Sequence, residues 1–134
     1  MQKLEAKFQT RFSRFLKYGY SGKTAAFELK WAKGDSIAFS ALRPHQKDSL
    51  LAAKHGRLVY KIADDSIGFK PFDCFALEGT DAFVVVGFGS GKVFIIDIDD
   101  WCKEEATSKR RSLTEERAEK IAAEHGVSAA KPKR

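Results

Sequence analysis

The chain has 134 residues, 43% hydrophobic and 31% charged, which suits one domain with enough apolar material for a packed core. A net charge of +6 and a pI near 9.4 favour polyanionic partners, nucleic acid foremost, although basicity also serves solubility alone. No apolar run approaches the roughly 20 residues that span a bilayer, and the charged opening "MQKLEAKF" lacks the apolar stretch of a signal peptide, so an intracellular, cytoplasmic protein with no membrane partner is expected.

Residues 2–17 predict a helix. Leu4, Phe8, Phe12 and Phe15 recur at helical spacing and form one stripe. Lys3, Lys7, Arg11 and Arg14 follow the same rhythm on a neighbouring face, where they either track a phosphate backbone or simply meet solvent. Glu5 falls on the other flank of the stripe, away from these cations. "YGYSGK" (18–23) reads as a loop without the spacing of a phosphate-cradling motif.

"AAFELKW" (25–31) predicts a strand. Its period of two puts Phe27, Leu29 and Trp31 on one face and Glu28 and Lys30 together on the other. "AKGDSIAF" follows as a loop. Ser40 is expected to cap a helix through "ALRPHQKDSLLAAKHG", with Pro44 in its first turn and Gly56 at its end. Strands are predicted over 57–64, 72–77, 82–88 and 92–98, with "EGTD" closing a hairpin between the second and third. The apolar runs Val84 to Val86 and Phe94 to Ile96 suggest strands covered on both faces.

Asp99 or Asp100 is expected to cap a short helix around Trp101 to Glu105. "TSKRR" is a basic linker whose Lys109, Arg110 and Arg111 either add phosphate affinity or are merely solvated. "SLTEERAEKIAAEHG" carries a capping box, Ser112 with Glu115, and predicts a helix ending near Gly126. Residues 127–134 read as a basic disordered tail. The order predicts an α/β fold over 1–126: a mixed β-sheet of about five strands flanked by helices.

The two cysteines, Cys74 and Cys102, match no metal-ligand spacing and are expected as free thiols in a reducing compartment. His45, His55 and His125 are scattered, which gives a zinc site little support. The acid and base at Glu28 and Lys30 are therefore the chemical focus. A carboxylate on a sheet can hold magnesium or manganese, and a neighbouring lysine can orient a water or meet charge growing on a phosphate. Hydrolysis of a phosphodiester by that route needs at least one more carboxylate. The same two residues also make an ordinary ion pair at a sheet edge, and a second acid-x-lysine, Glu5 to Lys7, lies on the first helix.

The stretch "AAFELKWAKGDSIAFSALRPHQKDSLLAAK" resembles the heart of the PD-(D/E)XK nuclease superfamily, and most of all the Holliday junction resolvases of the penicillin-binding-protein-related factor A (RecU-like) group. The matching parts are a strand bearing E-x-K, a loop with Ser and Phe, and a helix opening with "HQ". The resemblance spans about residues 3–100, with its specific motifs within 28–46. It implies a restriction-endonuclease-like fold and a magnesium- or manganese-dependent endonuclease acting on DNA, branched DNA in particular. Glu28 would ligate the metal, Lys30 would act on the attacking water, and Gln46 would support the site. Glu5 would match an acid on the first helix of several resolvases. Cutting both strands of a junction implies two symmetric sites, hence a homodimer.

The family's usual aspartate on a strand before E-x-K is missing, since "KYGYSGKTAAF" holds no acid. Asp73 in "KPFDCFAL" is the candidate substitute as a metal ligand, the alternative being that it caps or solvates a strand end. Asp64 with Asp65 and Asp97 with Asp99 lie at strand ends, where acids commonly turn or cap the chain. His45 is expected to be structural or to contact phosphate. A non-catalytic nucleic-acid-binding module on the same fold, and an unrelated interaction protein, are the competing expectations.

Overall fold

The apolar stripe of the first segment folds as expected, into helix α1 (Gln2–Tyr18), with Phe8 and Phe12 buried. The computed structural model describes residues 2–20, 23–61 and 73–122, with side chains from residue 5 onward. The predicted strand is β1 (Ala25–Trp31). It lies parallel to β5 (Asp81–Gly87), with Glu28 opposite Val84 and Lys30 opposite Val86. β6 (Val93–Asp97) runs antiparallel on the other side of β5, giving the order β1-β5-β6. The protein is therefore α/β with a mixed sheet.

Strand period decides which helix covers which face. Phe27, Leu29 and Trp31 join Phe83, Val85 and Ile95 beneath Phe8 and Phe12 of α1. Ala26, Val84, Val86 and Ile96 face the other way. There they meet α2 (Pro44–His55), through Leu50 and Ala53, and α3 (Ile98–Thr107), through Ile98 and Trp101. Central strand β5 is buried from Ala82 onward, as its unbroken apolar run requires. At its end Gly87 is needed for packing: a Cβ there would lie 3.0 Å from Trp31 and 3.1 Å from Phe8.

The crossover from β1 to β5 contains α2 and a hairpin, β3 (Arg57–Lys61) with β4 (Cys74–Glu78). This corrects the expected hairpin around "EGTD": β4 pairs back onto β3, and the turn instead leads the chain into the sheet centre. The turn is tied down by the Thr80 amide, which donates to the Ala53 carbonyl at 3.0 Å. The expected sheet of about five strands is, among the described residues, one of three, because β3 and β4 pair only with each other. Leu58 and Leu77, opposite each other, pack onto the core, whereas Val59, Tyr60 and Phe75 further out are about half exposed.

Two segments read as loop and helix start form a short antiparallel pair, β2 (Ser36–Ala38) and β7 (Ser112–Thr114). Because β7 takes up Ser112, the last helix, α4 (Glu115–Ile121), is capped by Thr114, whose hydroxyl accepts from the Arg117 amide at 3.1 Å. It closes at Ile121, short of Gly126. Ser40 lies in a single 3-10 turn (Phe39–Ala41), and the N-cap of α2 is Arg43. The cap of α3 is Asp97, not the expected Asp99 or Asp100, both of which lie in its first turn. Both cysteines are free, and burial pushes the Cys102 thiol up from its ordinary range. No helix among the described residues is long and apolar enough to cross a membrane. Asp64, Asp65, His125 and the basic tail lie outside the described residues.

Candidate functional site

Glu28 and Lys30 occupy the face of β1 turned toward the α2 and α3 layer, on a strand at the edge of the described sheet. The Lys30 Nζ stands 3.4 Å from the Glu28 Oε2, and the side chains are 17% and 31% exposed respectively. That separation is long for a charge-assisted contact, which usually closes to about 2.7–2.9 Å. The pair is loosely joined and partly desolvated, so its charges interact more strongly with a third charge than they would in open water.

No described hydrogen bond or ion pair joins the other predicted site residues to this pair. Gln46 is in the third position of α2, where its Oε1 accepts from the Arg43 amide at 2.9 Å and completes the helix cap. Glu5 is exposed on α1, the layer that covers the opposite face of the sheet. Asp73 is exposed immediately before β4, at the outer end of the hairpin. No described hydrogen bond or ion pair joins it to Glu28 or Lys30. His45 is exposed in the first turn of α2. Among the described residues no group of three or more His, Cys, Asp or Glu is placed to hold a metal ion. The pair itself supplies one carboxylate, that of Glu28. That is the least magnesium accepts from a protein, because it keeps several waters and takes further oxygens from substrate phosphate.

The expected row of cations on α1 divides. Lys7 and Arg11 line a cleft with Trp31, Lys33 and the turn Gly89 to Gly91. Arg14 lines a separate shallow groove with Lys17 and Tyr18, and the side chain of Lys3 lies outside the described residues. Lys109, Arg110 and Arg111 are exposed. Arg110 shares its groove with Glu116 and with Glu104, the latter already paired with Arg117, and the Arg111 carbonyl accepts from the Phe39 amide. Sequence reading missed Lys33 and the "GSG" turn as members of a cationic cleft. A usable signal was present: both follow the C-terminal ends of strands that turn out to be parallel, where α/β sheets commonly bind ligands.

Asp97 and Asp99 are engaged in a clamp between α2 and α3. Lys54 Nζ lies 2.7 Å from Asp97 and 2.6 Å from Asp99, and His55 Nε2 reaches Asp99 at 2.9 Å. Burial opposes the Lys54 charge, but hydrogen bonds to Asp97 and Asp99 outweigh it and hold its pKa above the usual lysine value. The Lys54 hydrogen bond likewise holds the Asp99 carboxyl below its ordinary range. The raised lysine stabilises the fold below its unfolded pKa and loses that contribution as pH rises through its higher folded value. The lowered carboxyl stabilises above the ordinary carboxylate range and loses its contribution as pH falls through its lower folded value. The clamp therefore holds from mildly acidic to mildly alkaline pH. We expect Lys54→Met to cost about 1–2 kcal/mol at neutral pH, between the exposed and buried limits. Urea denaturation should show the difference narrowing as pH falls below the ordinary carboxylate range.

Compared with known proteins, the chain matches no family model, no curated protein and no solved structure.

Proposed function

We propose that the chain is a divalent-metal-dependent DNA endonuclease with a restriction-endonuclease-like fold, acting on branched DNA as a homodimer. The observation that carries this reading is the E-x-K strand itself. Glu28 and Lys30 share one face, are partly desolvated, are only loosely paired, and sit on the strand parallel to the sheet's central strand. Magnesium or manganese would supply Lewis-acid stabilisation of the phosphate under attack. Glu28 is the residue to hold it, with Asp73 as the second carboxylate to be tested. Lys30 would orient the attacking water and meet the negative charge developing on the phosphate. Gln46 would act indirectly, by fixing the start of α2 over the sheet.

The test is incubation of the protein with a four-way junction, a flap and a linear duplex, with and without magnesium or manganese. The expected result is cutting that requires metal and favours the junction. A second reading, a non-catalytic nucleic-acid-binding module, is favoured by the single carboxylate at the pair. Salt-sensitive binding without cutting in either metal would establish that reading and end the first.

A further inference from the structure

The cleft between α1 and the loops that follow β1 and β5 belongs to neither the charged pair nor the core. Its volume is near 270 Å³, against about 30 Å³ for one water, so a phosphate group fits with part of its hydration. Three cations line it, Lys7, Arg11 and Lys33, and the nearest described carboxylate contact is at its rim, where Glu115 accepts from the Ser90 hydroxyl at 2.9 Å. All three residues are exposed, and no described ion pair neutralises any of them. Arg11 makes one long contact, donating from Nη2 to the Gly91 carbonyl at 3.4 Å, which leaves most of its five donors free.

The cleft is built rather than incidental. The Gly89 amide donates to the Gly34 carbonyl at 3.0 Å, and a Cβ on Gly89 would collide with the Lys33 carbonyl oxygen. Only glycine lets the two loops interlock, and their interlock sets Lys33 against the turn, facing the cations of α1.

We infer that this cleft binds phosphates of a DNA backbone and feeds the strand toward Glu28 and Lys30, an inference that rests on the proposed function. Lys33 follows Lys30 by three residues, at most about 10 Å at about 3.3 Å per residue. That bound, between backbone positions, is no longer than a few nucleotides of a DNA strand, which advances about 3.4 Å per phosphate. The pair and the cleft lie toward opposite faces of the sheet. Among the described residues β1 is nevertheless the edge strand of that sheet, so a backbone running past that edge would meet both.

The experiment uses the full chain and a fluorescent four-way junction, read by anisotropy over a salt series. The variants are Lys7→Ala/Lys33→Ala and, as a charge-matched control, Lys103→Ala/Lys120→Ala on the exposed surfaces of α3 and α4. Each lost phosphate contact lowers the salt slope by about 0.9, so the double variant should lose about 2 in slope and at least about tenfold in affinity, with the control within twofold. A double variant that binds like the control overturns the cleft, even if the wild type cuts the junction. A cleft-dependent slope in a protein that never cuts keeps the cleft and ends the nuclease reading. A second arm titrates pyrophosphate against the fluorescence of Trp31, the other tryptophan, Trp101, being fully buried. Pyrophosphate binding lost in the double variant, with no affinity for DNA, would overturn the backbone assignment in favour of a free phosphate ligand.

Discussion

Lys30→Met is expected to lower metal-dependent junction cleavage by about 10²–10³-fold while leaving DNA affinity within a few-fold. The argument is one of placement. Lys30 is only 17% exposed, so under the proposed function its ammonium would meet a phosphate from a partly dry position, where a fixed charge acts more strongly than a solvated one. Methionine keeps the length and the apolar stem, so packing against the sheet is retained. The fold should lose no more than about 1 kcal/mol, the usual range for an ion pair that still touches solvent. Glu28→Gln should cut equally poorly and bind DNA no worse, since it removes a negative charge that faces a polyanion. Single-turnover rates at saturating protein separate the chemical step from binding. Unchanged rates in both variants would reduce the pair to an ordinary edge contact.

This prediction depends on the part of the site that was legible before any coordinates. A strand's period of two is strict, so two charges two residues apart must share a face, and Glu28 and Lys30 do. The aromatic stripe of α1 and the double-sided burial of β5 were legible for the same reason: each is a local periodicity long enough to read. What could not be read is pairing. β4 carries nothing that says whether it joins β3 or β5, because register and partner are settled by packing of distant residues such as Leu58 and Leu77. β2 and β7 have three residues each, with one buried side chain apiece, Ile37 and Leu113, too few to show a period.

Caps moved for a related reason. Ser112 fits the capping box, but pairing with Ala38 removes it from the helix, and Thr114 takes its place. The cationic cleft is the same lesson at the site. Lys7, Lys33 and Gly89 are far apart in sequence, and only the docking of α1 over the ends of β1 and β5 brings them together. Glu5 lies on the first helix as expected, yet that helix covers the face opposite the charged pair, a choice of layer that helix periodicity does not encode.

The layer behind the pair sets the second large effect. Trp101 is fully buried in α3, packs edge-on against Phe39 with ring centroids 5.4 Å apart, and sits in one cluster with Val84, Val86 and Ile96. Trp101→Ala would leave a cavity where several elements meet and is expected to cost about 3–5 kcal/mol. Against a total stability of about 5–15 kcal/mol, that lowers the melting temperature by roughly 10–20 °C. Trp101→Phe should behave differently. The indole Nε1 is buried without a hydrogen-bond acceptor among the described residues, and an unsatisfied buried donor costs about 1–3 kcal/mol. Phenylalanine removes that donor while keeping most of the ring, so gain and loss nearly cancel, and the variant should melt within a few degrees of the wild type. The contrast between the two substitutions, followed by thermal and urea denaturation, separates the volume of the side chain from its polarity. Equal losses in both would overturn the reading of the indole nitrogen as an unsatisfied donor, and with it the account of how α3 is seated on the sheet that carries Glu28 and Lys30.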